Sequence, residues 1–240
     1  MITELIAVES VAKQYGPVVA VDNLSLSVTA GEIYGLIGAN GAGKSTLMRM
    51  IVGITQPDRG HVMLNGEDLS LRGSAPKQAL GYLPEELVLY ERLTGREFLM
   101  LVAGLKGADQ SQVDKEIEYF ELAQVKSKWA GSYSQGMRKK LGLAAAMLGN
   151  PTVLVLDEPL NGLDVEMMRK LRLRIEAERE GGRAILVSSH VMSFVERVCD
   201  RVGIMQFGKL IAEGTPDEIR LRTGLANEPF EDVFFRLTQR

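Results

Sequence analysis

A single cysteine, Cys199, leaves the chain without a partner for an internal disulfide, which suits a reducing compartment such as the cytoplasm. Surplus positive charge is missing as well. The 28 Lys and Arg stand against 31 Asp and Glu, a net charge of −3, so no global basic field points to nucleic acid or to an anionic membrane surface. Apolar runs are short: stretches such as Leu99 to Leu105, with its one glycine, fall far below the ~20 residues that span a bilayer. The chain itself is therefore not expected to cross a membrane. Met1-Ile2-Thr3-Glu4 lacks the basic-then-apolar pattern of a secretion leader, so none is expected. No G-x-S-x-G and no H-E-x-x-H occurs, which removes the support for acyl-transfer and metalloprotease readings. There is no internal repeat, heptad array or low-complexity linker.

What remains is an ordinary globular composition, 45% hydrophobic and 25% charged, in 240 residues. That length can bury about 70–75% of the unfolded surface, in one large domain or two small ones. The chain is organised around Leu36 to Leu47, which fits the phosphate-loop pattern G-x-x-x-x-G-K-[ST]. Gly38, Ala39, Asn40, Gly41, Ala42 and Gly43 can curl so that backbone N–H groups point inward at phosphate oxygens. Lys44 adds a point charge, the Ser45 hydroxyl can ligate Mg²⁺, and Thr46 closes the turn. The apolar run Ile33 to Ile37 predicts a buried strand before the loop. Lys44 to Gly53 predicts a helix after it, with its positive end toward the anion.

Elsewhere the pattern predicts strands at Leu5–Val8, Val18–Val21, Leu24–Val28, His61–Leu64 and Ala79–Leu83, with Asn65-Gly66 as a hairpin turn. Helical periodicity covers Thr94–Gly104 and Ser111–Ala123, and Ser134 is positioned to cap a helix running to Gly149. Strand and helix then alternate: Thr152–Leu156, Val165–Glu180, Ala184–Val187, Val191–Val198 and Val202–Met205. The alternation implies an α/β fold with a mainly parallel sheet covered by helices.

A second chemical cluster follows the strand Val153–Leu156, where Asp157 and Glu158 emerge at the carboxyl end that α/β sheets use for their sites. Two adjacent acids there are costly unless they meet cations. Asp157 suits a Mg²⁺ ligand and Glu158 can take the proton of an attacking water. His190 follows the strand Ala184–Val187 and the pair Ser188-Ser189, on the same side as these acids. Tyr15, ahead of Val18, is either a half-buried loop residue or a flat platform for a purine ring.

The ordered set of motifs resembles the nucleotide-binding subunit of ABC transporters over nearly the whole chain. The matches are Tyr15 in the aromatic loop, Gly38 to Thr46, Gly81 to Glu85 at the loop that usually carries Gln, and Tyr133 to Met137 at the signature. Leu154 to Glu158, Asn161 to Asp164 at the D-loop and His190 at the switch histidine complete it. The resemblance implies a P-loop NTPase with a mainly parallel central sheet, an N-terminal antiparallel β subdomain and a helical insert. It implies one nucleotide-binding domain over 1–240, with 1–86 and 150–240 as core and 87–149 as helical subdomain.

The resemblance further implies an ATPase that uses ATP and Mg²⁺, with Lys44, Glu158 and His190 in catalysis and Ser45, Asp157 and Glu85 at the metal. Two copies, or this chain and a paralogue, would close head-to-tail, each ATP lying between one phosphate loop and the other's Ser134 and Gly136. Asp164 would couple the two sites. The partner implied is an integral membrane permease, which puts the chain at the cytoplasmic membrane face as a peripheral subunit. Leu87, Tyr90, Phe98 and Leu101 are docking candidates, with Phe98 and Leu101 favoured as core. No nucleic acid is expected, and a soluble ABC ATPase acting on nucleic acid or the ribosome, or an ATP-binding switch without transport, is the alternative. Gln135, Met137 and Glu85 depart from the usual Gly, Gln and Gln. With Leu83 to Glu86, Tyr90 to Thr94 and Phe230 to Phe234, they resemble the exporter-type branch, with drug, antibiotic and polysaccharide exporters.

Overall fold

The computed structural model describes residues 3–69, 79–226 and 228–239. Two 12-residue strands open the chain: β1 (Glu4–Tyr15) and β2 (Val18–Thr29) form an antiparallel hairpin. They are longer than the apolar runs alone predict, and Val18–Val21 and Leu24–Val28 merge into one strand. The reason is a set of bulges, with Ser10 and Asn23 at positive φ, that lets polar residues continue the pairing. β4 (Arg59–Leu64) pairs with β1, and Asn65-Gly66, both at positive φ, turns the chain into β5 (Glu67–Asp68). The four-stranded order is β2-β1-β4-β5.

The second sheet has the order β10-β9-β3-β8-β7-β6. Its members are β3 (Ile33–Gly38), β6 (Leu80–Leu83), β7 (Val153–Leu156), β8 (Ala184–Ser188), β9 (Arg201–Gln206) and β10 (Lys209–Gly214). All pairs are parallel except β10 with β9, an antiparallel edge. The central strands are apolar on both faces because both faces are covered. From β3, Tyr34 and Leu36 join the core shared with β1, β2 and α1 (Lys44–Ile51), whereas Ile33 and Ile37 join the core beneath the other helices. Period-two alternation thus puts one strand into two cores.

The insert contains α2 (Gly95–Lys106), α3 (Gln110–Tyr119) and α4 (Gln135–Met147). A capping box of Thr94 and Glu97 starts α2. Asp109, one residue earlier than the apolar pattern suggests, caps α3 by accepting from the Gln112 N–H at 2.9 Å. α3 stops at Tyr119 rather than Ala123 because Glu121 turns to positive φ. Ser134 caps α4 as expected, but the helix ends at Met147, with Gly149 already at positive φ. α4 lies directly on β6: a Cβ on Gly81 would stand 2.2 Å from the Ala146 carbonyl oxygen, and one on Gly142 would meet Leu83 and Leu87.

α5 (Val165–Glu180) and α6 (Met192–Val198) cover the same face. Two helices complete the chain, α7 (Pro216–Thr223) and α8 (Phe230–Thr238). The apolar pattern predicts neither, although Thr215-Pro216-Asp217-Glu218 carries a full capping box with proline at the first helical turn. Among the described residues no helix is long and apolar enough to cross a membrane.

Candidate nucleotide site

β3 delivers the loop Gly38–Gly43 at its carboxyl end, and α1 begins immediately after it. The glycines are dictated by space. A Cβ on Gly38 would lie 2.5 Å from the Met205 carbonyl oxygen, and Gly43, at φ +106°, would put one 2.2 Å from the Ala20 carbonyl oxygen. Among the described residues no side chain caps α1, so its first-turn N–H groups remain available to an anion. The buried Lys44 Nζ donates to the carbonyl oxygens of Gly38 (2.7 Å) and Ala39 (3.3 Å), which holds its charge beneath the loop. Asn40, Gly41, Gly43, Lys44, Ser45 and Thr46 line a cavity of about 300 Å³ with Val18, Val19 and Ala20 on one wall and Glu85, Asp157 and Glu158 on another.

The two acids face that cavity together because of backbone geometry. Successive residues of a continuing strand would point to opposite faces. β7 ends at Leu156, and Glu158 takes a left-handed conformation, φ +46°, that a non-glycine residue rarely adopts. Ser188 stabilises this turn. Leu156 pairs with Val187 in the parallel register of β7 and β8, so Asp157 and Ser188 emerge side by side. The Ser188 hydroxyl, 0% exposed, donates to Asp157 Oδ1 (2.6 Å) and accepts from the Glu158 N–H (2.8 Å). On the outer side His190 Nδ1 lies 2.8 Å from Glu158 Oε2. The His190 side chain is 64% exposed and lines a second cavity of about 450 Å³ with Gly38, Ala39, Asn40, Asn161 and α8.

Mg²⁺ fits this donor set. Ser45, Asp157 and Glu85 present hard oxygen atoms to the same cavity as Lys44. Among the described residues no three His, Cys, Asp or Glu groups converge on a self-sufficient metal cage. That sparse protein contribution is how Mg²⁺ is usually bound, through one or two side-chain oxygens with phosphate and water completing the octahedron. The charge of Asp157 is felt beyond the cavity: burial, and secondarily this carboxylate, raises the pKa of the Tyr82 phenol.

The structure does not bring every sequence-selected residue into the two cavities. Ser134 caps α4, its hydroxyl accepting from the Met137 N–H (3.3 Å), and lines neither of them. Gly136 lies against the loop after β7, where a Cβ would stand 2.6 Å from the Gly162 carbonyl oxygen. Asp164 caps α5 by accepting from the Met167 N–H (2.8 Å), with Lys140 at 3.8 Å. Tyr15 is half exposed at the end of β1, opposite Val18 of the cavity wall in the hairpin register. Phe98 is buried as favoured, whereas Leu101, favoured as core, is 44% exposed and lines a surface groove with Tyr90 and Leu93.

Two side chains near the site lie outside the residues to which the sequence points. Ser188 had a visible signal, a polar pair after a buried strand, but its partners depend on strand register. Lys139 had none beyond its place in the run Arg138-Lys139-Lys140.

The family model described as ABC transporter matches residues 21–161. Over 220 residues the chain is 38% identical to the bacitracin transport ATP-binding protein BcrA of Enterococcus faecalis, covering 91% of this chain and 71% of that one. It is 33% identical over 240 residues to the probable multidrug ABC transporter ATP-binding protein YbhF of Escherichia coli (strain K12), covering 97% of this chain. The match spans only 41% of that longer relative. A solved structure of an ATP binding subunit of an ABC transporter superposes with a TM-score of 0.91 at 32% identity, covering 97% of this chain and 99% of that one. The loop, the paired acids and these likenesses agree: the chain belongs to the ABC transporter family and has the fold of its ATP-binding cassettes.

Proposed function

We propose that the chain binds and hydrolyses ATP and thereby powers an exporter-type membrane transporter. The observation that carries this reading is the pair Asp157 and Glu158, turned toward the Gly38–Thr46 loop and fixed by Ser188 and His190. Loop amides and Lys44 bind the phosphates. Mg²⁺, held by Ser45 and Asp157 with Glu85 as a further oxygen donor, would supply positive charge against the β- and γ-phosphates. Glu158 accepts the proton of the attacking water, and His190, hydrogen-bonded to the same carboxylate, orients it and reaches toward the γ-phosphate. Tyr15 offers its exposed ring to the adenine beside Val18.

Ser134 and Gly136 act on a second copy or a paralogous ATPase. Their position away from the chain's own cavities supports this, because a helix start is otherwise idle as an anion site. Asp164, which caps α5 directly after the loop touching Gly136, links the two sites across the dimer. The segments 1–86 and 150–240 form the core of one domain, with 87–149 as its helical part. An integral membrane permease is the partner, with Tyr90 and Leu101 of the exposed groove as contacts, so the chain works at the cytoplasmic face as a peripheral subunit. Export follows the wording of Leu83–Glu86 and Tyr90–Thr94 and the drug and antibiotic relatives.

The test is Glu158→Gln. Steady-state hydrolysis is expected to fall by about two orders of magnitude or more, the usual contribution of a positioned base. ATP binding should persist, with an ATP-dependent dimer seen by size-exclusion chromatography. Unchanged hydrolysis would refute the assignment.

A further inference from the structure

Three consecutive cations, Arg138, Lys139 and Lys140, occupy the second turn of α4, and the structure uses two of them for local fixing. Arg138 donates to the carbonyl oxygens of Tyr133 (3.1 Å) and Gly131 (2.9 Å), bracing the approach to the helix. Lys140 meets Glu121 (3.1 Å) and Asp164 (3.8 Å). Lys139 differs. It is only 6% exposed, and its Nζ donates to the Glu85 carbonyl oxygen (3.2 Å). It lines, with Glu85, Glu86 and Asn161, a cavity of about 310 Å³. Glu85 and Asn161 also line the cavity that holds Glu158 and His190.

A buried ammonium is costly without a counter-charge. Burial lowers the Lys139 pKa overall, with Asp157, Glu158 and Glu85 pulling the other way. By geometry it is the Glu85 segment that Lys139 holds, through the carbonyl oxygen and the shared cavity. Those same acids must accommodate a triphosphate, and Glu85 adds a negative charge at a position where the family resemblance leads one to expect a neutral amide. Gly81 lets the Ala146 carbonyl of α4 lie against β6, and Gly142 leaves room for the Leu83 and Leu87 side chains, so α4 packs closely on the strand that leads into the Glu85 segment.

We propose that Lys139 is a positioning residue of the nucleotide site, the buried cation that offsets Glu85 and ties the Glu85 segment to the helix headed by Ser134. Lys44 is thereby reserved for the phosphates. The arrangement also explains how Glu85 can replace an amide: the extra negative charge is balanced from α4. This inference rests on the nucleotide-binding part of the proposed function.

The test is a double-mutant cycle read by equilibrium binding of a fluorescent ATP analogue, with and without Mg²⁺, alongside hydrolysis. Lys139→Met should weaken binding about tenfold in both conditions, equivalent to ~1.4 kcal/mol. Adding Glu85→Gln should restore most of that loss, because the offending charge goes with its partner. A purely structural loss of the lysine would not be rescued by a change of charge on another segment. Lys139→Met binding like wild type, or a double variant no better than Lys139→Met, overturns the proposal. A wild-type chain that binds the analogue but does not hydrolyse ATP refutes the hydrolytic function and leaves this binding cycle to decide on Lys139. Wild type unable to bind refutes the nucleotide reading itself, and with it this inference.

Discussion

Replacing Ser188 by alanine removes one oxygen atom and tests the whole construction of the acid pair. The side chain is fully buried, so no water takes the place of the lost hydroxyl without a cavity to hold it. Two partners are stranded, Asp157 Oδ1 and the Glu158 N–H. An unsatisfied buried group costs about 1–3 kcal/mol, with a carboxylate toward the upper end. The expected loss of stability is ~2–4 kcal/mol, because the Asp157 side chain can turn partly toward the cavity. For a chain of this size each kcal/mol lowers the melting temperature by about 2–4 °C, so a fall of roughly 4–16 °C is expected. Turnover should drop as well. The Glu158 turn loses its backbone anchor, and a misplacement of about 1 Å can cost ~10²-fold. A 10- to 100-fold decrease in kcat, measured well below the variant's melting temperature so that all molecules are folded, is the expected result. Urea unfolding at 25 °C gives the stability and steady-state phosphate release gives the rate. If Ser188→Ala unfolds within about 0.5 kcal/mol of wild type and turns over within twofold, the hydroxyl does not organise the acids. That threshold is the ordinary scatter of neutral substitutions.

Two further outcomes are expected. Gly136→Ala should destabilise the chain by about 1–3 kcal/mol in urea unfolding, the usual cost of overpacking, since its methyl group would meet the Gly162 carbonyl oxygen; wild-type stability would mean that the loop after β7 yields freely. Tyr34 should make folding alkali-sensitive. Burial, then the nearby Glu213 carboxylate that accepts its hydroxyl at 3.0 Å, raises its pKa well above 10, so the folded chain keeps a proton that the unfolded chain loses. Stability from this group is fully present below pH ~10 and declines as pH rises beyond it. Urea unfolding between pH 9 and 11 should show a shallower decline in Tyr34→Phe, and an identical slope would remove Tyr34 as a cause.

The chemistry was more legible in the sequence than its support. Glycine spacing, a terminal Lys-Ser and acids after an apolar strand are local signals, and the structure brings Gly38–Thr46, Asp157, Glu158 and His190 to adjoining cavities. Residues whose roles depend on non-local pairing were not legible. Ser188 reaches Asp157 only because β7 and β8 pair in one register, and Lys139 reaches Glu85 only because two glycines let α4 settle on β6. The sequence shows the long β1 and β2 only as fragments because bulges and polar residues interrupt their alternation. The miss at α7 differs in kind. Its Thr215 to Glu218 box is a local signal, and the helix behind it buries only Ile219 and Arg220, so apolar periodicity alone passes over it.

The left-handed turn at Glu158 has a consequence for engineering. Forcing a side chain with a Cβ into that region costs on the order of 1–2 kcal/mol, and glycine or asparagine would sit there more comfortably. Neither carries a carboxylate. Selection for heat resistance alone therefore runs against the acid at this codon, and selection for turnover runs against the relaxed backbone. With Glu158 as the proposed base, a library scored only on melting temperature would drift toward sturdier, silent chains, and this is the position where a second score, for turnover, has to be imposed.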